Sequence, residues 1–308
     1  LPGVMRIFLS DGTLDTTFDP GSGFQPNPLG LYISLVVQPD GKVLWGSGYS
    51  EYNGTPINGL VRINPDGSID PTFTAAIGSG PLALQPDGKI IVGRFRLNDD
   101  GSVDGSFNAD QITSQVRAVL LQPDGKIIVG GGTYSDSPAL FARLNTDGTT
   151  DPTFNIGGGI PDGPIYALVL RTDGKVLAGG DFQTFDGVSR HCIVQVNADG
   201  SLDTAFDPGS GFDHAVSDVN VLALVQQADG RVVAGGLFTE YDGTGRNCIA
   251  RLNVNGDLDA SFDPGSGFYV WPFATRICLA LQPDHAIVAG GDFTSYNGIG
   301  RNRIARLL

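Results

Sequence analysis

Apolar residues occur along this chain in short runs, and each run ends in glycine or in a polar turn. Residues 127–129, for example, are apolar and are followed by three glycines. Asp-Gly dipeptides separate many of the runs, and such a dipeptide between apolar runs is the strongest short-range signal of a β-hairpin. No stretch keeps a helical period over a window of about 11 residues. The pattern therefore predicts an all-β protein.

Three motifs recur in a fixed order. Gln-Pro-Asp-Gly-Lys begins at residue 38 and returns, in identical or weaker form, at residues 85, 122, 171, 227 and 282. Ile-Ala-Arg-Leu-Asn is best seen at residues 249–253, and Asp-Gly-Ser-Leu-Asp-x-x-Phe at residues 199–206. Each repeat predicts four antiparallel strands: one before the QPDGK turn, one after it, one at IARLN, and a fourth that ends at the phenylalanine.

Repeats of about 50 residues with four strands each are typical of a β-propeller, in which each sheet forms one blade. A single blade cannot bury both of its faces, so neighbouring blades must stack. We expect one propeller domain over residues 1–308 with six four-stranded blades. Blade 2 is expected to be truncated, because residues 91–93 join directly to the next strand at Arg94. A seven-bladed or incomplete ring is the alternative.

The N-terminal segment is expected to close the ring. It carries a surplus third-type strand, Val4 to Leu9, and a fourth-type segment, Leu14 to Phe18, whereas the last repeat ends on its third strand. Supplying the missing fourth strand of blade 6 would remove exposed sheet edges. The chain begins Leu1-Pro2 without an apolar leader, which favours a mature form or a piece of a larger protein or assembly.

Composition narrows the choice of partners. The chain has 19 Lys and Arg against 33 Asp and Glu, a formal net charge of −14. Nucleic-acid binding needs a basic surface, so we expect no nucleic-acid partner. A membrane-spanning helix needs an apolar run of about 18 residues or more. No run approaches that length, and we expect no membrane insertion.

The linked motifs QPDGKIIVGG, RNCIARLN, DGSLD and FDPGSGF resemble the delta-60 repeat, a bacterial β-propeller repeat of unassigned function. The resemblance covers nearly the whole chain. It implies a propeller that is often a module of large secreted or surface proteins, and it implies no reaction. The second repeat departs from the motif by its missing hairpin, and the last by His285 and Ala286 in place of Gly-Lys.

Arginine and aspartate recur together at two positions of the later repeats. This predicts structural ion pairs within blades 4 to 6; a recent duplication of those blades is the alternative explanation. The predicted pairs are Arg190 with Asp207, Arg246 with Asp263, and, through ring closure, Arg301 with Asp19.

Binding residues are expected on the face that carries the longer, variable connections. Tyr269, Trp271 and Phe273 lie in one linker and have no counterpart in the other repeats, and Asp213 and His214 lie in another linker. Aromatic side chains beside acidic loops suit stacking on a sugar ring or a protein hot spot. The alternative is that Trp271 plugs the mouth of the channel.

The sequence predicts no metal, cofactor or catalytic group. The three histidines are dispersed, and the Asp-Gly turns lack the carboxylates that an EF-hand needs at its first and last positions. Calcium held less formally by the acidic linkers is the alternative. No nucleophile elbow, phosphate loop, dinucleotide fingerprint or zinc motif is present. We therefore expect a protein that is not an enzyme.

The expected function is a binding or display module, with a glycan or protein ligand, in a secreted, cell-surface or virion-surface assembly. One alternative is a structural subunit or spacer that contacts other chains through blade 2 or the strand Val4 to Leu9. A second alternative is a propeller hydrolase or lyase with carboxylates at the channel mouth. Fold alone does not decide among these.

Overall fold

The computed structural model describes residues 15–24, 33–134, 138–213, 219–270 and 277–307. Within these ranges all regular secondary structure is β-strand, and no helix there is long and apolar enough to cross a membrane. The predicted strand Val4 to Leu9 and the candidate ligand residues His214, Trp271 and Phe273 lie outside the described residues.

Each repeat forms one set of three core strands. In repeats 1, 2, 4, 5 and 6 the middle strand pairs antiparallel with the other two. The strands of repeats 1 to 6 are, in order, Ile33–Val37, Val43–Ser47 and Leu60–Ile63; Leu82–Leu84, Ile90–Val92 and Phe95–Leu97; Val116–Leu121, Ile127–Gly131 and Phe141–Leu144; Ile165–Leu170, Val176–Gly180 and Ile193–Val196; Asn220–Gln226, Val232–Leu237 and Ile249–Leu252; Ile277–Leu281, Ile287–Gly291 and Ile304–Leu307.

The fourth segment contributes less than a strand. In each described case one residue bridges to the third strand, as Leu144 does with Thr150. The carboxylate of Asp151 then accepts hydrogen bonds from the backbone N–H (2.9 Å) and hydroxyl (2.7 Å) of Thr153. This turn bends the chain away from the sheet. The predicted four-stranded blade is therefore corrected to three strands plus a single bridge.

Repeat 2 is truncated as predicted. Its second and third strands are joined by Gly93 and Arg94 alone, between the paired residues Val92 and Phe95. Gly93 has φ +57°, the conformation that the first central residue of a type II′ hairpin turn requires. The short turn replaces a long hairpin without changing the number of core strands, so strand direction is preserved.

Smaller accessory sheets form from the connections. Their hairpins turn at Asn-Gly or Asp-Gly pairs in which both residues have positive φ, such as Asp242 (46°) and Gly243 (67°), as a type I′ turn requires. The accessory strands are Glu51–Tyr52 and Thr55–Pro56; Thr184–Phe185 and Val188–Ser189; Phe212–Asp213, Glu240–Tyr241 and Thr244–Gly245; and Phe268–Val270, Phe293–Tyr296 and Ile299–Gly300.

A glycine in the second half of the middle strand lets the next sheet approach in several repeats. A Cβ atom on Gly235 would lie 2.8 Å from Ile277 Cγ2 and 3.1 Å from Leu279 Cδ1, on the first strand of repeat 6. A Cβ on Gly179 would lie 2.6 Å from Val221 of repeat 5. Real side chains do not tolerate such contacts, so the IIVGG motif encodes close packing of successive sheets.

The chain divides into two compact units. One comprises Leu1–Ile127 and Leu144–Thr150, and the other comprises Ile128–Arg143 and Asp151–Leu308. Each unit has its own apolar core: Leu44, Phe73, Ile90 and Leu97 belong to the first, and Leu177, Ile193, Val221, Val232 and Phe238 to the second. The single domain, the blade number and closure by the N-terminal segment stay predictions.

A buried arginine–aspartate network recurs in the repeats. Arg143 Nε donates to Asp151 Oδ2 at 2.7 Å, Nη2 donates to Thr153 Oγ1 at 2.9 Å, and Nη1 donates to the carbonyl of Ala198 in the next repeat at 2.5 Å. The guanidinium also lies 5.1 Å from the centroid of the Phe154 ring. The equivalent pairs are Arg62 with Asp70, Arg96 with Asp104, and Arg251 with Asp259.

The predicted ion pairs within blades 4 and 5 are not formed among the described residues. The guanidinium groups of Arg190 and Arg246 instead donate to the backbone carbonyls of the preceding residues. Asp207 and Asp263 accept from the backbone N–H groups of Gly209 and Gly265, which shapes the linkers. The predicted pairs of blades 4 and 5 are therefore wrong, because the arginines and aspartates that pair in the repeats stand at other positions.

The third predicted pair remains untested. Arg301 donates to the carbonyl of Gly300 at 2.9 Å, and Asp19 accepts from the N–H of Gly21 at 2.9 Å. Arg301 and Asp19 belong to different compact units, and their pairing stays a prediction.

Candidate functional site

The candidate site is the hairpin-and-linker face of the second unit, formed by the accessory sheets and the connections beside them. Here each linker pairs with the hairpin of its own repeat: Phe212 pairs with Tyr241, and Phe268 with Tyr296. Asp242 Oδ1 accepts from the backbone N–H of Ser210 at 3.0 Å. The repeated FDPGSGF motif is thus used to hold the linker against the hairpin.

The repeated aromatic residues of this face are interior residues. Tyr241 and Phe268 are completely buried, and the Tyr241 hydroxyl donates to the carbonyl of Gly256 at 2.5 Å. Burial, followed by the nearby charge of Asp242, raises the pKa of the Tyr241 phenol well above its usual range. Tyr241 therefore stays a neutral donor inside the fold and is unavailable to a ligand.

Two predicted ligand residues can be placed. Tyr269 lies on the strand Phe268–Val270, its backbone pairs with Ser295, and its side chain is 60% exposed. Asp213 lies on the strand Phe212–Asp213 and is exposed, and it pairs with Glu240. The two residues belong to different accessory sheets, in repeats 6 and 5. The cluster of Tyr269 with Trp271 and Phe273 stays a prediction.

Three residues that the sequence prediction missed come together on the same face. The Tyr134 hydroxyl donates to Asp181 Oδ2 at 2.5 Å and lies 3.5 Å from the Tyr166 hydroxyl. We call Tyr134, Tyr166 and Asp181 the Tyr134 cluster. Burial of the hydroxyl and its bond to Asp181 raise the pKa of Tyr134 well above its usual range, so the phenol remains protonated.

A signal for this cluster was present in the sequence. Counting from the equivalent glycines of the middle strands, Gly131, Gly180, Gly236 and Gly291, the residues equivalent to Tyr134 are Gln183, Thr239 and Thr294. Tyr134 is therefore an aromatic residue that the repeat does not require. The sequence does not show that Tyr134 belongs to a cluster, because Tyr166 and Asp181 lie 32 and 47 residues further along the chain.

A separate groove of about 430 Å³ lies at the last repeat of the second unit. Arg251, Arg301 and Arg306 line it together with Asp263 and Tyr296. Arg301 thus shares this groove with Asp263, the aspartate of the preceding repeat. The groove is basic on an acidic protein, and its apolar floor includes Phe262 and Leu307, which belong to the core.

Hydrogen bonds lower the pKa of several described aspartates. Bonds from Ser201 lower the pKa of Asp199, and bonds from Lys89 and Ser106 lower that of Asp104. Within the described ranges no three His, Cys, Asp or Glu side chains are grouped so that they could hold a metal ion.

These strands, turns and sheet contacts define a β-propeller repeat protein. A family model described as a beta-propeller domain of unknown function, DUF5122, matches residues 38–73, 122–154, 171–206, 227–262 and 282–308. The chain belongs to this family, and the resemblance to a propeller repeat of unassigned function is confirmed. The truncated second repeat lies outside the matched segments. No curated protein matches the sequence of the chain.

Solved propeller structures are similar in fold. The extracellular domain of a putative one component system from B. thetaiotaomicron matches 92% of this chain at 13% identity and TM-score 0.53, and the match spans 39% of that protein. The WD40 propeller domain of Doa1 matches 89% of this chain and 87% of its own, at 15% identity and TM-score 0.53. A catalytically inactive virginiamycin B lyase from Staphylococcus aureus matches 92% and 86%, at 13% identity and TM-score 0.51. At these identities the similarity shows the fold alone.

Proposed function

We propose that this protein is a non-enzymatic binding module whose hairpin-and-linker face binds a glycan, within a secreted, cell-surface or virion-surface assembly. The observation that carries the proposal is the outward orientation of Tyr269. The neighbouring Phe268 is fully buried, whereas the Tyr269 ring is largely in solvent on a paired strand. The strand fixes the backbone that carries the ring, so a ligand would have to order only the Tyr269 side chain.

The sequence around Tyr269 supports the same proposal. Tyr269, Trp271 and Phe273 lie within five residues of one another in one linker, so the sequence concentrates aromatic side chains at this linker. Aromatic rings present flat apolar faces with a polar group at the edge. The C–H groups of a pyranose stack on such faces, while its hydroxyls reach neighbouring carboxylates. Repeats 4 to 6 carry exposed carboxylates, including Asp213, on this face.

The alternative of a hydrolase or lyase requires a particular kind of carboxyl group. A general acid needs a carboxyl group whose pKa is raised toward neutrality. Such a group should lie near a second catalytic group in a cleft. Asp70, Asp104 and Asp259 do not meet these requirements, because hydrogen bonds and basic side chains lower their pKa and each is buried in the arginine–aspartate network.

The test is a glycan-array screen of the full chain, with and without calcium, beside the Tyr269→Ala and Trp271→Ala variants. Selective binding that either substitution weakens at least about tenfold supports the proposal. Turnover of a bound glycan, detected by mass spectrometry, would instead favour the enzyme alternative. A blank array together with self-association in light scattering would favour the structural-subunit alternative.

A further inference from the structure

The Tyr134 cluster is a second place where the hairpin-and-linker face departs from the repeat. Tyr134 follows the middle strand of repeat 3, Tyr166 lies in the first strand of repeat 4, and Asp181 directly follows the middle strand of repeat 4. Core strands therefore hold the backbone of two of the three residues, Tyr166 and Asp181, in position. Groups carried on such rigid elements keep their geometry better than groups on free loops.

The scaffold does not explain this cluster. The residues equivalent to Asp181 in repeats 5 and 6 are Leu237 and Asp292, and no aromatic residue stands at the Tyr134 position there. Repeats 4 and 5 still bury their hairpin residues Phe185 and Tyr241 completely. The Tyr134 ring, in contrast, is 69% exposed although its hydroxyl is fixed on Asp181. It forms an anchored aromatic surface that faces solvent.

The chemistry of the cluster matches one class of ligand. One exposed ring gives a single flat apolar platform, and three oxygen atoms converge at its edge: two phenol hydroxyls and the Asp181 carboxylate. A pyranose has an apolar C–H face bordered by hydroxyls that both donate and accept. A quaternary ammonium ion is better served by several ring faces around one point, and Tyr166 is half-buried.

We propose that Tyr134, Tyr166 and Asp181 form a saccharide-binding subsite that stacks one neutral pyranose on Tyr134. The inference rests on the proposed glycan-binding function and names a site for it apart from Tyr269. In the complex the Asp181 carboxylate accepts from a sugar hydroxyl, and the two phenols supply hydrogen bonds beside it. The Tyr134 side chain acts mainly through its ring, and Asp181 through its charge.

The first experiment measures saturation-transfer NMR from the full chain to methyl gluco-, galacto- and mannopyranosides at millimolar concentration. Tetramethylammonium chloride serves as the cation probe. We expect transfer to at least one pyranoside, falling by at least about tenfold in Tyr134→Ala because the platform is lost. Tyr134→Phe keeps the ring and is expected to lose no more than about threefold.

Charge is tested by Asp181→Asn, expected to weaken binding about fivefold because a charged acceptor is replaced by a neutral one. Asp162→Asn is its matched control, since Asp162 is an exposed aspartate of the same repeat that already accepts from the N–H of Gln183 and the hydroxyl of Thr184. Thermal melting of each variant reports folding. Because most of the Tyr134 side chain is in solvent, its truncation leaves the core unchanged.

The outcomes separate this inference from the proposed function. Sugar binding that survives Tyr134→Ala but is lost in Tyr269→Ala overturns the subsite and keeps the glycan-binding function. Transfer to tetramethylammonium without transfer to any pyranoside also overturns the subsite. If the pyranosides and the glycan array both give no binding, the subsite and the proposed function fail together.

Discussion

Replacing Arg143 with methionine should destabilise the protein far more than replacing Arg190, the arginine that sequence patterns single out. The Asp151 side chain opposite Arg143 is 4% exposed. Removing the guanidinium leaves that buried carboxylate without its arginine, and breaking a buried ion pair in this way costs about 3–5 kcal/mol. The half-buried Arg190 side chain donates to the backbone carbonyl of its neighbour Ser189, and its loss should cost about 0.5 kcal/mol or less.

Glutamine at position 143 should cost less than methionine. Repeat 4 already carries Gln195 at the equivalent position, and its Nε2 donates to Asp203 Oδ2 at 2.6 Å. Arg143→Gln should keep such a bond to Asp151 but lose the bonds to Thr153 and Ala198. We expect a loss of about 2 kcal/mol, because each net hydrogen bond is worth about 1 kcal/mol.

The measurement is urea unfolding of wild type, Arg143→Met, Arg143→Gln and Arg190→Met, followed by tryptophan fluorescence and circular dichroism. A repeat protein of this size can unfold in more than one step, so both probes must give coincident transitions before free energies are compared. The expected order of stability is wild type and Arg190→Met, then Arg143→Gln, then Arg143→Met. Equal losses for Arg143→Met and Arg190→Met would refute the network's role.

Three further predictions follow from the same structure. The double exchange Arg171→Gln with Gln195→Arg should be more stable than the sum of the single exchanges by about 1 kcal/mol, because it restores the arrangement of the other repeats; strict additivity in urea unfolding would contradict this. Burial raises the pKa of all three thiols, to about 12 at Cys192 and to about 11 at Cys248, but Cys278 is the exposed residue of the three. Mass spectrometry after iodoacetamide should therefore find one adduct on the folded chain and three after denaturation; two or more on the folded chain would show that the buried thiols are accessible. At the network aspartates burial raises the pKa, but hydrogen bonds from hydroxyl, arginine and lysine groups outweigh it and leave a lowered pKa. Their stabilisation is therefore complete above about pH 4 and is lost as the pH falls below it, and a melting temperature that stays constant from about pH 5 to about pH 3 would argue against this contribution.

Much of the fold could be predicted because the turn residues determine where each hairpin forms. Asp-Gly and Asn-Gly pairs allow positive φ at both central residues, which sets the two-residue hairpins. In the shortened hairpin of repeat 2 only the first central residue, Gly93, has positive φ, as a type II′ turn requires. The fourth strand was over-predicted because the apolar pattern of the LDxxF segment looks extended. The hydrogen bonds that its aspartate makes with the residue two positions on end the extended conformation after a single bridge.

The arginine–aspartate network was predictable from register. Leu144 bridges to Thr150 across the Asp-Gly turn, and in an antiparallel pair this sets positions 143 and 151 opposite each other. The same spacing of eight residues holds in the other repeats that carry the pair. The sequence instead favours the pairs Arg190 with Asp207 and Arg246 with Asp263, because these charges are present together or absent together in most repeats. In the structure Asp207 and Asp263 accept hydrogen bonds from linker N–H groups. That role explains why aspartate recurs there without a partner arginine.

The functional residues could not be read from the repeated motifs, and the reason is physical. The polar groups of the repeated residues already form hydrogen bonds within the scaffold. The FDPGSGF linkers bond to the I′ turns, and the buried arginines bond to the network aspartates. A ligand must therefore bind residues that the repeat does not use in these bonds. Tyr134 and Tyr269 are both aromatic, both exposed, and both at positions that no other repeat fills with an exposed ring. They are separated along the chain and meet different neighbours, so only variants at each position can show which of the two a glycan contacts.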